Sequence, residues 1–95
     1  MKPNSFTADT MYTLPTIHLN GTGADTLSRE YTDAWHSLKS AREALLSSTC
    51  NARDFYPQGD HAYQDARFER SEAIAKLDDV IDYIEHWVAH ITEHR

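Results

Sequence analysis

The sequence predicts an all-α protein: a long helical hairpin of two antiparallel helices with an N-terminal extended arm, built to oligomerise. Three observations carry this. Leu27, Tyr31, Ala34, Leu38, Ala41 and Leu45 recur at alternating spacings of four and three, which is an unbroken helical stripe. Ile74, Leu77, Ile81, Ile84, Val88 and Ile91 repeat the pattern later in the chain. Between them, "SSTCNARDFYPQGD" breaks the period with Pro57 and Gly59.

Residues 1–10 are short, polar and without period, and are expected to be flexible. Residues 11–95 are expected to form one domain, since 95 residues hold a single small core. Residues 11–19, "MYTLPTIHL", alternate in character as an extended segment does. Pro15 cannot donate to a ladder, so the segment is an edge strand or an arm. Asn20-Gly21 closes the arm with a turn in which positive φ is available. Thr22 and Asp25 then resemble a capping box at the head of helix one, expected over residues 24–48. Ser47, Ser48 and Thr49 end it, because their hydroxyls compete for helix hydrogen bonds. Residues 49–59 form the connector. Helix two is expected over residues 60–94, with Asp60 as its N-cap.

A second stripe, Ala73, Val80 and Trp87, runs beside the main one on helix two. That apolar face is wider than one partner helix needs. The surplus is expected to meet the arm or another copy of the chain.

Charge narrows the function. The formal net charge is −6, and from Leu77 onward Asp78, Asp79, Asp82, Glu85 and Glu93 face only Arg95. No basic footprint is present, so direct nucleic-acid binding is not expected. An acidic balance serves solubility or a basic protein surface as partner. No apolar run approaches a membrane span and no signal peptide is evident, so no membrane association is expected. With the lone Cys50, this favours the cytoplasm.

Catalytic patterns are missing. No Gly-x-Ser-x-Gly elbow or Walker loop occurs, and Cys50 stands at a helix C-terminus, where the dipole does not activate a thiol. His86, His90 and His94 share one helix face, with Asp82 in the same row. Two of them have zinc-pair spacing, but no third ligand is evident, so no metal and no cofactor are expected. Histidines in a last turn also suit the helix dipole.

What could be specific lies in the connectors. Arg53 offers a fork for carboxylate or phosphate, and Tyr56 an aromatic face with a hydroxyl. The structural alternative is that Phe55 and Tyr56 plug the hairpin end while Arg53 and Asp54 satisfy helix ends. Tyr12, His18 and Asn20 of the arm could reach a ligand or partner. Their alternative is an arm packed over the helices, anchored by Leu14, Ile17 and Leu19.

"TIHLNGT" (16–22) and "RDFYPQG" (53–59) resemble paired segments of a group of small proteins carried by phages and prophages of Proteobacteria. The group has Thr-Ile-His-Leu-Asn-Gly-Thr and Arg-Asp-Tyr-Tyr-Pro-Gln-Gly, so Phe55 stands where its first Tyr would be. The resemblance supplies context and no mechanism, and assigns no residue a role; with the missing catalytic patterns, that context raises the expectation of a small non-enzymatic accessory protein that blocks a host defence complex. Three functions follow as expectations. The first is an anti-CRISPR-like inhibitor whose helical face Asp78, Asp79, Asp82 and Glu85 meets a basic, nucleic-acid-binding surface of the target. The second is a sponge holding a signalling nucleotide at a subunit interface through Arg53 with Tyr12 or Tyr56. The third is a structural or assembly module.

Overall fold

A computed structural model describes residues 11–95; the expectation for residues 1–10 lies outside the described residues. Two helices dominate, α1 (Ala24–Ser47) and α2 (Ala62–His94), packed antiparallel along their shared length. The helical hairpin expected from the two stripes is therefore present. Residues 13–18 form the arm without regular secondary structure, between a bend at Tyr12 and a turn at Leu19–Asn20, and no strand occurs among the described residues. The connector holds two single-turn 3-10 helices, Ala52–Asp54 and Tyr56–Gln58.

The seam between the helices is built from the predicted isoleucines. Ile81, Ile84 and Ile91 are buried, and Ile91 is fully inaccessible. Ala41, though on the α1 stripe by spacing, stands exposed. The molecule measures 61 × 32 × 16 Å. A helix with its side chains is about 10–12 Å across, so the hairpin is a single layer.

The helix ends differ from the sequence expectation. Gly23, not Thr22, is the N-cap of α1, and it supplies no side-chain cap. The capping box does not form; the Asp25 carboxylate instead accepts from Arg95, at the far end of α2. α1 ends among the hydroxyl residues as expected, with Ser48 as its C-cap, and Ser48 Oγ donates to the Ala44 carbonyl at 2.8 Å. Arg70 then donates to the Leu45 and Leu46 carbonyls at 2.7 and 2.8 Å. A cation on the last carbonyls of a helix also offsets its dipole. Asp60 is not the N-cap of α2. It lies in the turn before it, and His61 occupies the cap with helical backbone and no side-chain bond. The connector reverses at Gly59, whose φ of 112° belongs to the left-handed region.

Asn20-Gly21 turns the chain without a left-handed glycine, since Gly59 is the only glycine with positive φ. Gly21 N donates to the His18 carbonyl at 3.1 Å, closing the turn. The His18 ring lies over Gly21: a Cβ there would sit 2.8 Å from Nε2, the far end of an exposed side chain that can swing aside.

Candidate functional site: two end loops and a clasped arm

Arg42–Asp78, Trp35–Glu85 and Tyr31–Trp87 set the helix register. Arg70 at the end of α1 and Arg95 at its start mark the two ends. The connector therefore lies at one end of the hairpin and the His18–Gly21 turn at the other. α1 alone spans about 36 Å between them at ~1.5 Å per residue. The two segments that are most specific in sequence do not meet within one chain.

The arm is held on α2. Tyr12 Oη donates to Asp82 Oδ2 at 3.0 Å. The Tyr12 ring meets Tyr83 and His86 edge-on, with centroids 5.1 Å away in each case. Further along, His90 Nε2 lies 2.7 Å from the Pro15 carbonyl. A carbonyl only accepts, so this nitrogen carries the proton. His90 Nδ1 is then buried without a partner. Leu14 and Ile17 are half-buried as anchors, but Leu19 is 97% exposed. Burial, followed by the Asp82 hydrogen bond and the negative charges of Asp82 and Asp79, pushes the Tyr12 phenol above its ordinary range.

The histidine row is thus explained by packing. His86 Nδ1 donates to the Asp82 carbonyl at 2.8 Å, one helical turn back. The His90 and His94 rings lie against each other with centroids 4.3 Å apart. Among the described residues no group of three or more His, Cys, Asp or Glu is arranged to hold a metal ion.

The acidic face is largely occupied. Asp78 takes a forked bond from Arg42, with Nε at 2.5 Å. The Arg42 hydrogen bond, and then the charges of Arg42 and Lys39, hold the Asp78 carboxyl below its ordinary range against the opposing desolvation. Asp82 holds Tyr12. Glu85 accepts from Trp35 Nε1 at 2.8 Å. Beside that bond, a groove of about 360 Å³ runs between the helices, lined by Thr32, Trp35, His36, Glu85, Val88 and Ala89. Lys39 Nζ lies over the Trp35 ring at 5.5 Å. Of the four acids, Asp79 alone shows no hydrogen bond or ion pair among the described residues.

At the connector, Asn51 Oδ1 accepts from Arg53 N at 3.1 Å and caps the first 3-10 turn. Phe55 is half-buried with its ring 6.2 Å from Tyr63, so it plugs the hairpin end. Tyr56 does not: it is 75% exposed. Arg53 is exposed too, and it is Arg70 that satisfies the helix end. Arg53 and Tyr56 thus share the connector, Tyr12 lies on the middle of α2, and His18 and Asn20 form the opposite turn. The candidate ligand residues fall in three places. Leu19, expected as an anchor because an apolar residue in an alternating arm reads as one, is bare instead.

No protein-family model matches the chain, and no curated protein or solved structure is significantly similar to it. No helix among the described residues is long and apolar enough to cross a membrane.

Proposed function

We propose that this chain acts by binding a protein partner, without chemistry of its own, and that its two end loops are the recognition elements. The observation behind this reading is the pair of bared apolar side chains on fixed turns. Leu19 is 97% and Tyr56 75% exposed. The first turn is closed by the Gly21–His18 bond and the second by the Asn51 cap and Gly59. Fixed backbones lose little entropy on binding, and Tyr and Arg are frequent binding hot spots. Arg53 stands on the same connector as Tyr56.

Resemblance to phage accessory proteins supplies the context: a target within a host defence complex, inhibited by occlusion. The acidic helix plays a smaller part here than the sequence suggests. Asp78, Asp82 and Glu85 are tied to Arg42, Tyr12 and Trp35, so reversing them would disturb the fold along with any interface. Asp79 is the acid left to face a basic partner.

The experiment is native mass spectrometry of tagged protein purified gently from a bacterial host, wild type beside Leu19→Ser, Tyr56→Ser and Asp79→Lys. A stoichiometric host protein that is lost from the two loop variants supports the reading. Retention by both loop variants with loss from Asp79→Lys would return the function to the acidic face.

A second reading rests on Arg53, whose exposed guanidinium beside Tyr56 suits a nucleotide phosphate and base. Tyr12 is too distant to join it within one chain. A mass of a few hundred daltons that disappears with Arg53→Ala would favour this sponge.

A further inference from the structure

We infer that His90 makes the arm a pH-sensitive strap, closed while its imidazole is neutral and lifted between Pro15 and Leu19 when the ring takes a second proton. The strap is fixed at both ends. Tyr12 is bonded to Asp82 before it, and α1 begins at Ala24 after it. Between these points one side-chain hydrogen bond to the arm occurs among the described residues, from His90 Nε2 to the Pro15 carbonyl at 2.7 Å. Leu14 and Ile17 are half-buried. A cavity of about 240 Å³ remains at the strap, lined by Pro15, Thr16, Ile17, His90 and His94.

The position of the proton sets the sense of the switch. A carbonyl only accepts, so neutral His90 carries its proton on Nε2. A second proton goes on Nδ1, which is buried and has no partner. The other buried side-chain polar atom without a partner among the described residues is Trp87 Nε1, an N–H donor that cannot accept from it. The added charge strengthens the bond to Pro15. Against that single gain stands a charged N–H sealed from water with no acceptor, which costs more than one hydrogen bond returns. Lifting the strap gives that group to water. The dipole of α2 favours a cation near its C-terminus with the strap up or down, so it does not decide between the two.

The surrounding charges agree. His86, one turn back, lies 3.6 Å from the Asp82 carboxylate, and His94, one turn on, lies 3.9 Å from that of Glu93. Among the described residues His90 alone of the row has no carboxylate within ion-pair distance. Its ring centroid is 4.3 Å from that of His94. On the arm, Pro15, Thr16 and Ile17 carry no charge, and His18 is exposed over Gly21. On α1, Glu30 acts on Tyr31, the stacking partner of Trp87, and Asp25 is paired with Arg95. When the row is protonated, His86 and His94 therefore have partners on α2, and His90 stands between them as the unpartnered third cation.

The test is nuclear magnetic resonance of the full chain from about pH 7.5 to about 5.5, either side of the ordinary imidazole value of ~6.5. Heteronuclear relaxation at the amides of Thr16, Ile17, His18 and Leu19 reads the strap, and the Tyr12 ring resonances read its anchor. The wild type is expected to lose order at these amides as pH falls, while Tyr12 keeps its contact with Tyr83. The response is expected to vanish in both His90 variants. His90→Gln, whose amide donates to Pro15 but does not titrate, should stay ordered, and His90→Ala should be mobile throughout. His86→Gln should leave the transition in place. No transition in the wild type overturns the inference, and so does one that persists in either His90 variant or is abolished by His86→Gln. The readout is the strap itself, whether or not the end loops bind a target, so the two proposals fail separately.

Discussion

Ile91→Ala tests whether so thin a molecule has a true core. Among the described residues Ile91 is the one large side chain with no accessible surface. The variant removes three carbons, each worth about 0.8 kcal/mol of transfer free energy. Alanine returns ~0.4 kcal/mol as the better helix former. A cavity adds about 24 cal/mol for each Å³ that does not collapse. The sum is a loss of about 3 kcal/mol, within the ~2–5 kcal/mol seen for such truncations. Domains hold only ~0.05–0.15 kcal/mol per residue, so the variant would be marginal. Ile91→Val, expected to lose about 1 kcal/mol, keeps the measurement within range. The assay is urea unfolding followed by circular dichroism, at one fixed protein concentration because association shifts apparent stability. Leu19→Ala serves as the contrast, with unfolding expected to overlay the wild type. If Ile91→Ala lay within ~0.5 kcal/mol of wild type, the seam would not be the source of stability and this account of the fold would fail.

Three further predictions come from the ends and the arm. Gly21→Ala is expected to leave the Leu19 turn closed, with amide exchange at residues 18–21 close to wild type, because the exposed His18 ring can swing off the new methyl while the Gly21–His18 backbone bond stays. Arg70→Ala should cost about 1–2 kcal/mol by freeing two carbonyls at the α1 terminus, with Arg70→Lys recovering part of it in the same unfolding assay. The pH limits have opposite signs. Tyr12 is raised by burial and by Asp82, so its contribution is present below the unfolded phenol range and lost as pH rises through the folded value. Asp78 is lowered by Arg42, so its contribution is present above the unfolded carboxylate range and lost as pH falls through the folded value. Tyr12→Phe should shrink the alkaline step, the rest belonging to Tyr31, whose phenol is also raised, by burial and then by Tyr83 and Glu30, and Asp78→Asn should remove the acid one, as read by unfolding midpoints across pH.

The helices were legible because periodicity reports burial directly, and both stripes lie on the seam apart from Ala41. Their ends were less legible. Thr22, Asp25 and Asp60 have the right chemistry for caps, yet capping needs a local backbone that two other demands displaced. Asp25 is drawn to Arg95, 70 residues away, and the 3-10 turns of the connector deliver the chain to α2 two residues late. Long-range pairs of this kind leave no periodic trace. The same holds for the acidic face, where local spacing cannot reveal that Arg42, Tyr12 and Trp35 are the partners. The connector was read half correctly: Phe55 plugs and Tyr56 does not, a choice that depends on where Tyr63 lies.

The arm links these separate features. Tyr12, Tyr83, Trp87 and Tyr31 form one aromatic row, with successive centroid distances of 5.1, 6.1 and 4.4 Å. The row crosses from the arm through α2 to α1. Each ring takes part of its burial from the next, so loosening Tyr12 exposes Tyr83 and weakens its contact with Trp87. The arm also leads directly into the His18–Gly21 turn, through Pro15 held by His90. The exposed Leu19 is therefore presented at a fixed place only while Tyr12 and His90 keep the arm down. On this argument Asp82 serves the end loop at a distance, by fixing the tyrosine that fixes the arm. Asp82→Asn should keep the Tyr12 contact, since an amide oxygen still accepts, whereas Asp82→Leu should release it. If the loop binds a target, only the second of these variants should lose it.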